Sequence, residues 1–247
     1  MILMPVSQTD FDPSEASIAW KILNDAGVPV VFATPDGTPG AADSRMLTGE
    51  GLGVWKRILM ARKDAIDAYD EMTSSSSFKK PQKYSALKAQ DFKGILLPGG
   101  HAPGMRPYLE SKDLMKCVAD FMDAKKPVGA ICHGVLLAAR SPRADGKSVL
   151  YGRKVTCLLK SQEMAAFNLT RLWLGDYYRT YPTTTTQEEV TTFLKSNEDF
   201  QTGPTPFARD SFTNMKAGFT VLDGNLLTAR WPGDAYNFGT EFLKLIA

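Results

Sequence analysis

Histidine is nearly absent from this chain of 247 residues: only His101 and His133 occur, with three cysteines, Cys117, Cys132 and Cys157. An odd and sparse cysteine set excludes a secreted disulfide framework. Two histidines and three dispersed cysteines also lack the close ligand spacing of a zinc site, so neither metal nor other cofactor is expected. An excess of one charge is missing as well. The 29 Lys and Arg against 27 Asp and Glu leave +2, and a near-neutral chain offers nucleic acid no basic face. No run of about 18 apolar residues occurs, so no membrane-spanning helix is expected. The apolar start, residues 1–6, is too short for a signal-peptide core and has no basic leader. Repeats, a clear interdomain linker and a Walker A segment are absent too. These absences lead to the expectation of a cytoplasmic protein with a small-molecule substrate and neither nucleic acid nor membrane as partner.

What is present is ordinary in bulk, 43% hydrophobic and 23% charged, which is globular composition. The information lies in the order. Residues 2–6 read as a buried strand, followed by a helical pattern over 13–26 with Asp12 as N-cap, Pro13 at the first helical position and Gly27 as the stop. Residues 28–33, 94–98 and 127–132 read as further strands, and 112–124 as a helix with Leu114, Met115, Val118 and Phe121 on one stripe. Strand, helix and strand repeated at these lengths predict right-handed crossovers and a doubly wound, mostly parallel α/β sheet. A hairpin is predicted at 219–222 and 226–229 around Asp223-Gly224-Asn225, with a closing helix over 235–245. Residues 1–247 are read as one domain carrying two insertions, at about 43–89 and 164–217. The first holds a long helix, 54–72, and a lysine-rich surface loop. The second holds the aromatic run around Tyr177, Tyr178 and Tyr181, suited to a lid, a dimer surface or core packing, and a helix over 187–196.

Gly129-Ala130-Ile131-Cys132-His133-Gly134 is the most specific local feature. Small residues two before and two after a nucleophile permit the sharp strand-to-helix turn of a nucleophile elbow. Such a turn puts the Cys132 sulfur at a helix N-terminus, which favours thiolate. Pro98-Gly99-Gly100-His101 ends another strand, and its backbone amides could complete an oxyanion hole. Glu15 stands in the first turn of the helix after strand one. All three lie past the C-terminal ends of different strands, the edge where open α/β sheets form sites. Two decoys fall away: residues 49–53 lack the spacing and preceding strand of a dinucleotide fingerprint, and the sequon at Asn168 sits in a predicted helix.

The segments Glu15-Ala16-Ser17-Ile18-Ala19-Trp20, Pro98-Gly99-Gly100-His101 and Ala130-Ile131-Cys132-His133-Gly134 together resemble the ThiJ/PfpI superfamily. The resemblance implies a flavodoxin-like three-layer sandwich related to class I glutamine amidotransferases. It implies that Cys132 is the reactive thiol, that Glu15 hydrogen-bonds to it, and that Gly100 and the His133 amide form the anion pocket. It further implies a Cys-His-acid triad of Cys132, His133 and Glu163, the last 31 residues past the cysteine, at the end of a strand expected over 154–159. A carboxylate there would fix the imidazole tautomer. Gly99, His101 and Trp231 are candidates for the substrate pocket. No histidine follows His133, which argues against a glutaminase. The expected function is cofactor-free cysteine chemistry on a small electrophile, a glyoxalase III-like conversion of a dicarbonyl to a hydroxy acid or a related hydrolase or hydratase. The alternative is a stress-responsive chaperone or cysteine redox sensor, which would need no His133–Glu163 pair. A homodimer is expected in either case.

Overall fold

In the computed structural model, which describes residues 1–206 and 208–247, the first helix begins where its capping chemistry requires. The Asp12 carboxylate accepts hydrogen bonds from the Ser14 and Glu15 amides (2.8 and 3.1 Å), and Pro13 occupies the first turn, satisfying amides that have no partner within the helix. This helix, α1 (Pro13–Asp25), links β1 (Ile2–Pro5) to β2 (Val30–Thr34). After them come α2 (Lys63–Ser74), β3 (Gln82–Lys83), β4 (Gly94–Leu97), α3 (Lys112–Asp123), β5 (Val128–Ile131) and α4 (Gly134–Ala139). The chain continues through α5 (Lys160–Leu174), α6 (Thr186–Thr192), the hairpin β6 (Thr220–Asp223) and β7 (Leu226–Ala229), and α7 (Ala235–Ile246).

The strands form one sheet in the order β3-β2-β1-β4-β5-β7-β6, parallel except for β6. Every residue of β1, β4, β5 and β7 is buried, as expected of strands covered on both faces. From β1 the chain steps outward to β2, whereas from β4 it steps the other way to β5. Right-handed crossovers therefore put α1 and α3 on opposite faces. The α7 helix packs beside α1, and α4 beside α3, completing three layers. The order reverses between β1 and β4, and a cleft opens past the strand ends at such a reversal.

Three predicted elements differ. The helix expected over 54–72 is broken: a single turn, Lys56–Leu59, ends where Met60 turns extended (ψ 164°), and α2 starts at Lys63. Tertiary bonds cause the break. The Ala61 amide donates to the Met46 carbonyl (2.8 Å), and the Arg209 guanidinium donates to the carbonyls of Ile58, Leu59 and Met60, the acceptors a continuous helix would have used. The strand expected over 154–159 is reduced to one bridge from Val155 to Phe200, because β6 already occupies the free edge of β7. Within the stretch read as lysine-rich surface, Gln82 and Lys83 pair with β2 as a short, charged edge strand, a form that resists edge-to-edge aggregation.

Candidate active site

The turn from β5 into α4 forces Cys132 to φ +57°, a conformation that costs a non-glycine residue roughly 1–3 kcal/mol. The sequence around it relieves the crowding. A Cβ on Gly134 would lie 2.0 Å from the Leu97 carbonyl oxygen, and one on Gly99 would lie 2.7 Å from the His133 nitrogen. Glycine at both positions lets the ends of β4 and β5 close on each other around the thiol. The Gly99 amide is spent on Glu15, donating to its Oε2 at 2.8 Å. Gly99 thus builds the wall behind the carboxyl, while the adjacent Gly100 faces a cavity of 310 Å³ together with Glu15, His101, Cys132, Glu163 and Trp231. The Gly100 amide makes no backbone hydrogen bond among the described residues.

Glu15 and Cys132 are both buried, at 1% and 4% exposure. Burial first, and Asp12 second, push the Glu15 carboxyl well above the usual carboxylate range. Burial, then the carboxylates of Glu15 and Asp12, push the Cys132 thiol up, and the His133 amide only partly opposes this. Burial thus opposes the thiolate that a position at a helix N-terminus favours. Burial and the neighbouring acids together favour a protonated Glu15 beside a neutral thiol, and the thiol then needs a base.

That base is in contact. His133 Nδ1 lies 3.4 Å from Cys132 Sγ, and Nε2 lies 3.1 Å from Thr180 Oγ1. Thr180 Oγ1 donates its single hydrogen to the His101 carbonyl (2.6 Å), so toward His133 it can only accept. The Nε2 atom therefore carries the imidazole hydrogen, and the Nδ1 lone pair faces the thiol. Burial, then the proximity of His101 and Arg140, hold His133 neutral, its pKa pushed down to about 3.

Glu163 is not the partner of His133. It lines the cavity, but Oε2 accepts from the Thr186 amide (2.9 Å) and Oε1 faces Arg179 Nε (3.5 Å). A first-turn acid of α5 is drawn to a cation and a free amide on the neighbouring segment, and a neutral hydroxyl from residue 180 takes the imidazole instead. Thr180 carries no signal in the sequence beyond its adjacency to the tyrosine run. That run is partly core. The Tyr178 ring stacks on His101 (4.4 Å, 15°), Tyr177 hydrogen-bonds Asp43, and Tyr181 bonds Glu110 and Arg140. Arg209, also unmarked in the sequence, lines the cavity beside Trp231. Among the described residues no cluster of three histidine, cysteine or acidic side chains is grouped to hold a metal, and no helix is long and apolar enough to cross a membrane.

A doubly wound sheet with a strained cysteine at the end of a central strand defines the class. A family model described as ThiJ/PfpI family-like matches residues 6–204; the chain belongs to the ThiJ/PfpI family. An uncharacterized protein of Archaeoglobus fulgidus is 34% identical over 165 residues, 66% of this chain and 67% of that protein. Protein/nucleic acid deglycase 2 of Escherichia coli is 38% identical over 69 residues, 28% of this chain and 35% of its own length. The crystal structure of glyoxalase III from Candida albicans superposes with a TM-score of 0.70 at 18% identity, covering 99% of this chain and 97% of that one. The chain spans about two thirds of the length of the curated relatives it matches most broadly. The superfamily's fold, expected from the sequence, is borne out by these matches.

Proposed function

We propose that the protein is a cofactor-free cysteine enzyme that converts a reactive dicarbonyl to a hydroxy acid, in the manner of a glyoxalase III. The observation that carries this reading is the unprotonated His133 Nδ1 at 3.4 Å from Cys132 Sγ, its tautomer set through Thr180. A redox sensor needs no base at the sulfur. A proton-shuttling enzyme does.

In the first step His133 Nδ1 takes the Cys132 proton as sulfur bonds to the aldehyde carbon. The electron pair displaced from the carbonyl collects on oxygen, near the amides of Gly100 and His133, and the imidazolium returns the proton there to give a hemithioacetal. Neutral His133 then removes the hydrogen from that carbon as a proton, and the carbonyl oxygen next to it is protonated to give an enediol. The proton returned to the adjacent carbon, together with loss of the hemithioacetal O–H proton, leaves the α-hydroxy thioester. Water cleaves the carbon–sulfur bond and restores the thiol. The sum is dicarbonyl plus water to hydroxy acid, with no net oxidation. Glu15, protonated, supplies a buried hydrogen-bond donor beside the sulfur and is a positioning residue. An imidazolium without a carboxylate partner is a high-energy intermediate, which suits a proton held only briefly.

The test is turnover of methylglyoxal, followed as loss of dicarbonyl and appearance of lactate, by wild type and Cys132→Ser. Loss of at least about a thousandfold in kcat/KM is expected for the variant. Equal rates would remove Cys132 from the chemistry.

A further inference from the structure

The cavity above Cys132 holds 310 Å³, room for about ten waters. That exceeds what a three-carbon dicarbonyl fills. Its wall includes one cation, Arg209, whose three anchoring hydrogen bonds go to main-chain carbonyls: Nη1 to Met60 (3.0 Å), Nη2 to Ile58 (2.7 Å) and Leu59 (3.4 Å). The guanidinium carbon lies 5.7 Å from the centre of the Trp231 ring. Among the described residues Arg209 forms no ion pair, and its Nε makes no hydrogen bond. The half-buried guanidinium is thus oriented by neutral groups and keeps its charge.

Two neutral donors in the same cavity have no partner among the described residues. Tyr178 is 6% exposed, and its hydroxyl is unpartnered, as is Trp231 Nε1. Buried donors left unpaired cost free energy until something accepts from them. Among the described residues none of the wall's acids accepts from them: Asp12 Oδ1 takes the α1 amides, Glu15 Oε2 takes the Gly99 amide and leaves Oε1 unpartnered, and Glu163 turns to Thr186 and Arg179. The lining also includes the apolar side chains of Met46, Ile58 and Leu59, a surface for methylene groups.

We propose that Arg209 binds an anionic end of the substrate, so that the cavity takes an α-oxoaldehyde whose acyl chain ends in a carboxylate, with the aldehyde carbon at Cys132. Arg209 accounts for the charge, Trp231 and Tyr178 offer further donors to the carboxylate oxygens, and the apolar wall receives the chain between. The substrate class rests on the dicarbonyl chemistry proposed above; the anion site does not.

The decisive comparison uses 4,5-dioxopentanoate and its methyl ester, which differ only in the charge at the far end. Wild type should favour the acid, and Arg209→Gln should reduce the acid-to-ester ratio of kcat/KM by about ten- to a hundredfold, mainly through KM of the acid. Arg209→Lys should recover part of the ratio. A ratio equal in wild type and Arg209→Gln would overturn the proposal. So would a parallel loss on both substrates, the signature of Arg209 serving only to clamp residues 58–60. Alkylation of Cys132 separates this proposal from the dicarbonyl reading, because it needs no turnover. The rate ratio of iodoacetate to iodoacetamide, with Cys132→Ser as background, should fall several-fold in Arg209→Gln. If wild type consumes neither dicarbonyl but that ratio falls, the anion site stands and the reaction is a different one. An unchanged ratio would overturn the anion site.

Discussion

The edge of the sheet and the insertion that covers it bring residues to one cavity by different means. At the sheet edge, Gly99, Gly100 and Cys132 follow directly on buried strands, and Glu15 stands in the first turn of α1. Each has its place fixed by local chemistry: a cap, a tight approach, a strained turn. In the insertion, Thr180, Tyr178 and Arg209 arrive from irregular chain, and hydrogen bonds to distant backbone hold Thr180 to His101 and Arg209 to residues 58–60. The sheet edge presents the Cys132 thiol. The insertion decides which nitrogen of His133 carries the proton and what else the cavity can hold. In the proposed chemistry, nucleophilicity is thus assigned to the fold's frame, and protonation and selectivity to its decoration.

Variants can break that division of labour. The largest effect is expected at the edge, where Cys132→Ser should remove at least about a thousandfold of kcat/KM toward methylglyoxal. His133→Gln should follow with a loss of about 10²- to 10⁴-fold, the usual contribution of a positioned base. Thr180→Val leaves the thiol and the base in place but frees the tautomer; a loss of about ten- to a hundredfold in kcat with little change in KM is expected. Thr180→Ser should restore most of it, and failure of that rescue would show that the threonine packs rather than positions. Glu163→Gln should move kcat/KM by less than about fivefold, yet destabilise the protein by ~1–3 kcal/mol through its buried contacts with Thr186 and Arg179. A loss of activity as large as that of His133→Gln would instead restore the carboxylate to the shuttle.

The smallest effect separates edge and insertion by pH. Folding lowers the His133 pKa from its ordinary value of 6.5 to about 3. Between these limits the unfolded chain holds more protons, so wild type loses stability as pH falls below 6.5, by ~1.4 kcal/mol per unit at most. Asp12 works against this: its pKa is raised by burial from 3.8 to about 6, so stability contributed by its protonated form is lost as pH rises across that window. Comparing melting temperatures of wild type and His133→Gln from pH 7 to 4 isolates the histidine. The gap should shift in favour of the variant as pH falls, and a constant gap would refute the neutral, buried imidazole.

Legibility in the sequence followed locality. The capped start of α1, the hairpin around Gly224 and the elbow at Cys132 are each written within a dozen residues, and each is found where it was read. The helix expected over 54–72 failed because residue 209 competes for its carbonyls from far along the chain. Glu163 was placed correctly at the start of a helix and assigned the wrong partner for the same reason: what it touches comes from residues 179 and 186. Thr180 carries no motif at all, since a hydroxyl becomes a tautomer-setting acceptor only when a distant carbonyl takes its hydrogen.

By itself, the sequence determined the doubly wound parallel sheet, the elbow at the cysteine and the glycines that make room for it, because steric and capping rules act between near neighbours. Tertiary structure alone decided that burial pushes the thiol toward its protonated form, that His133 Nδ1 faces it, and that a guanidinium with no ion pair among the described residues lines the same cavity. Burial and long-range hydrogen bonds set proton positions, and both depend on which distant segments the fold brings together.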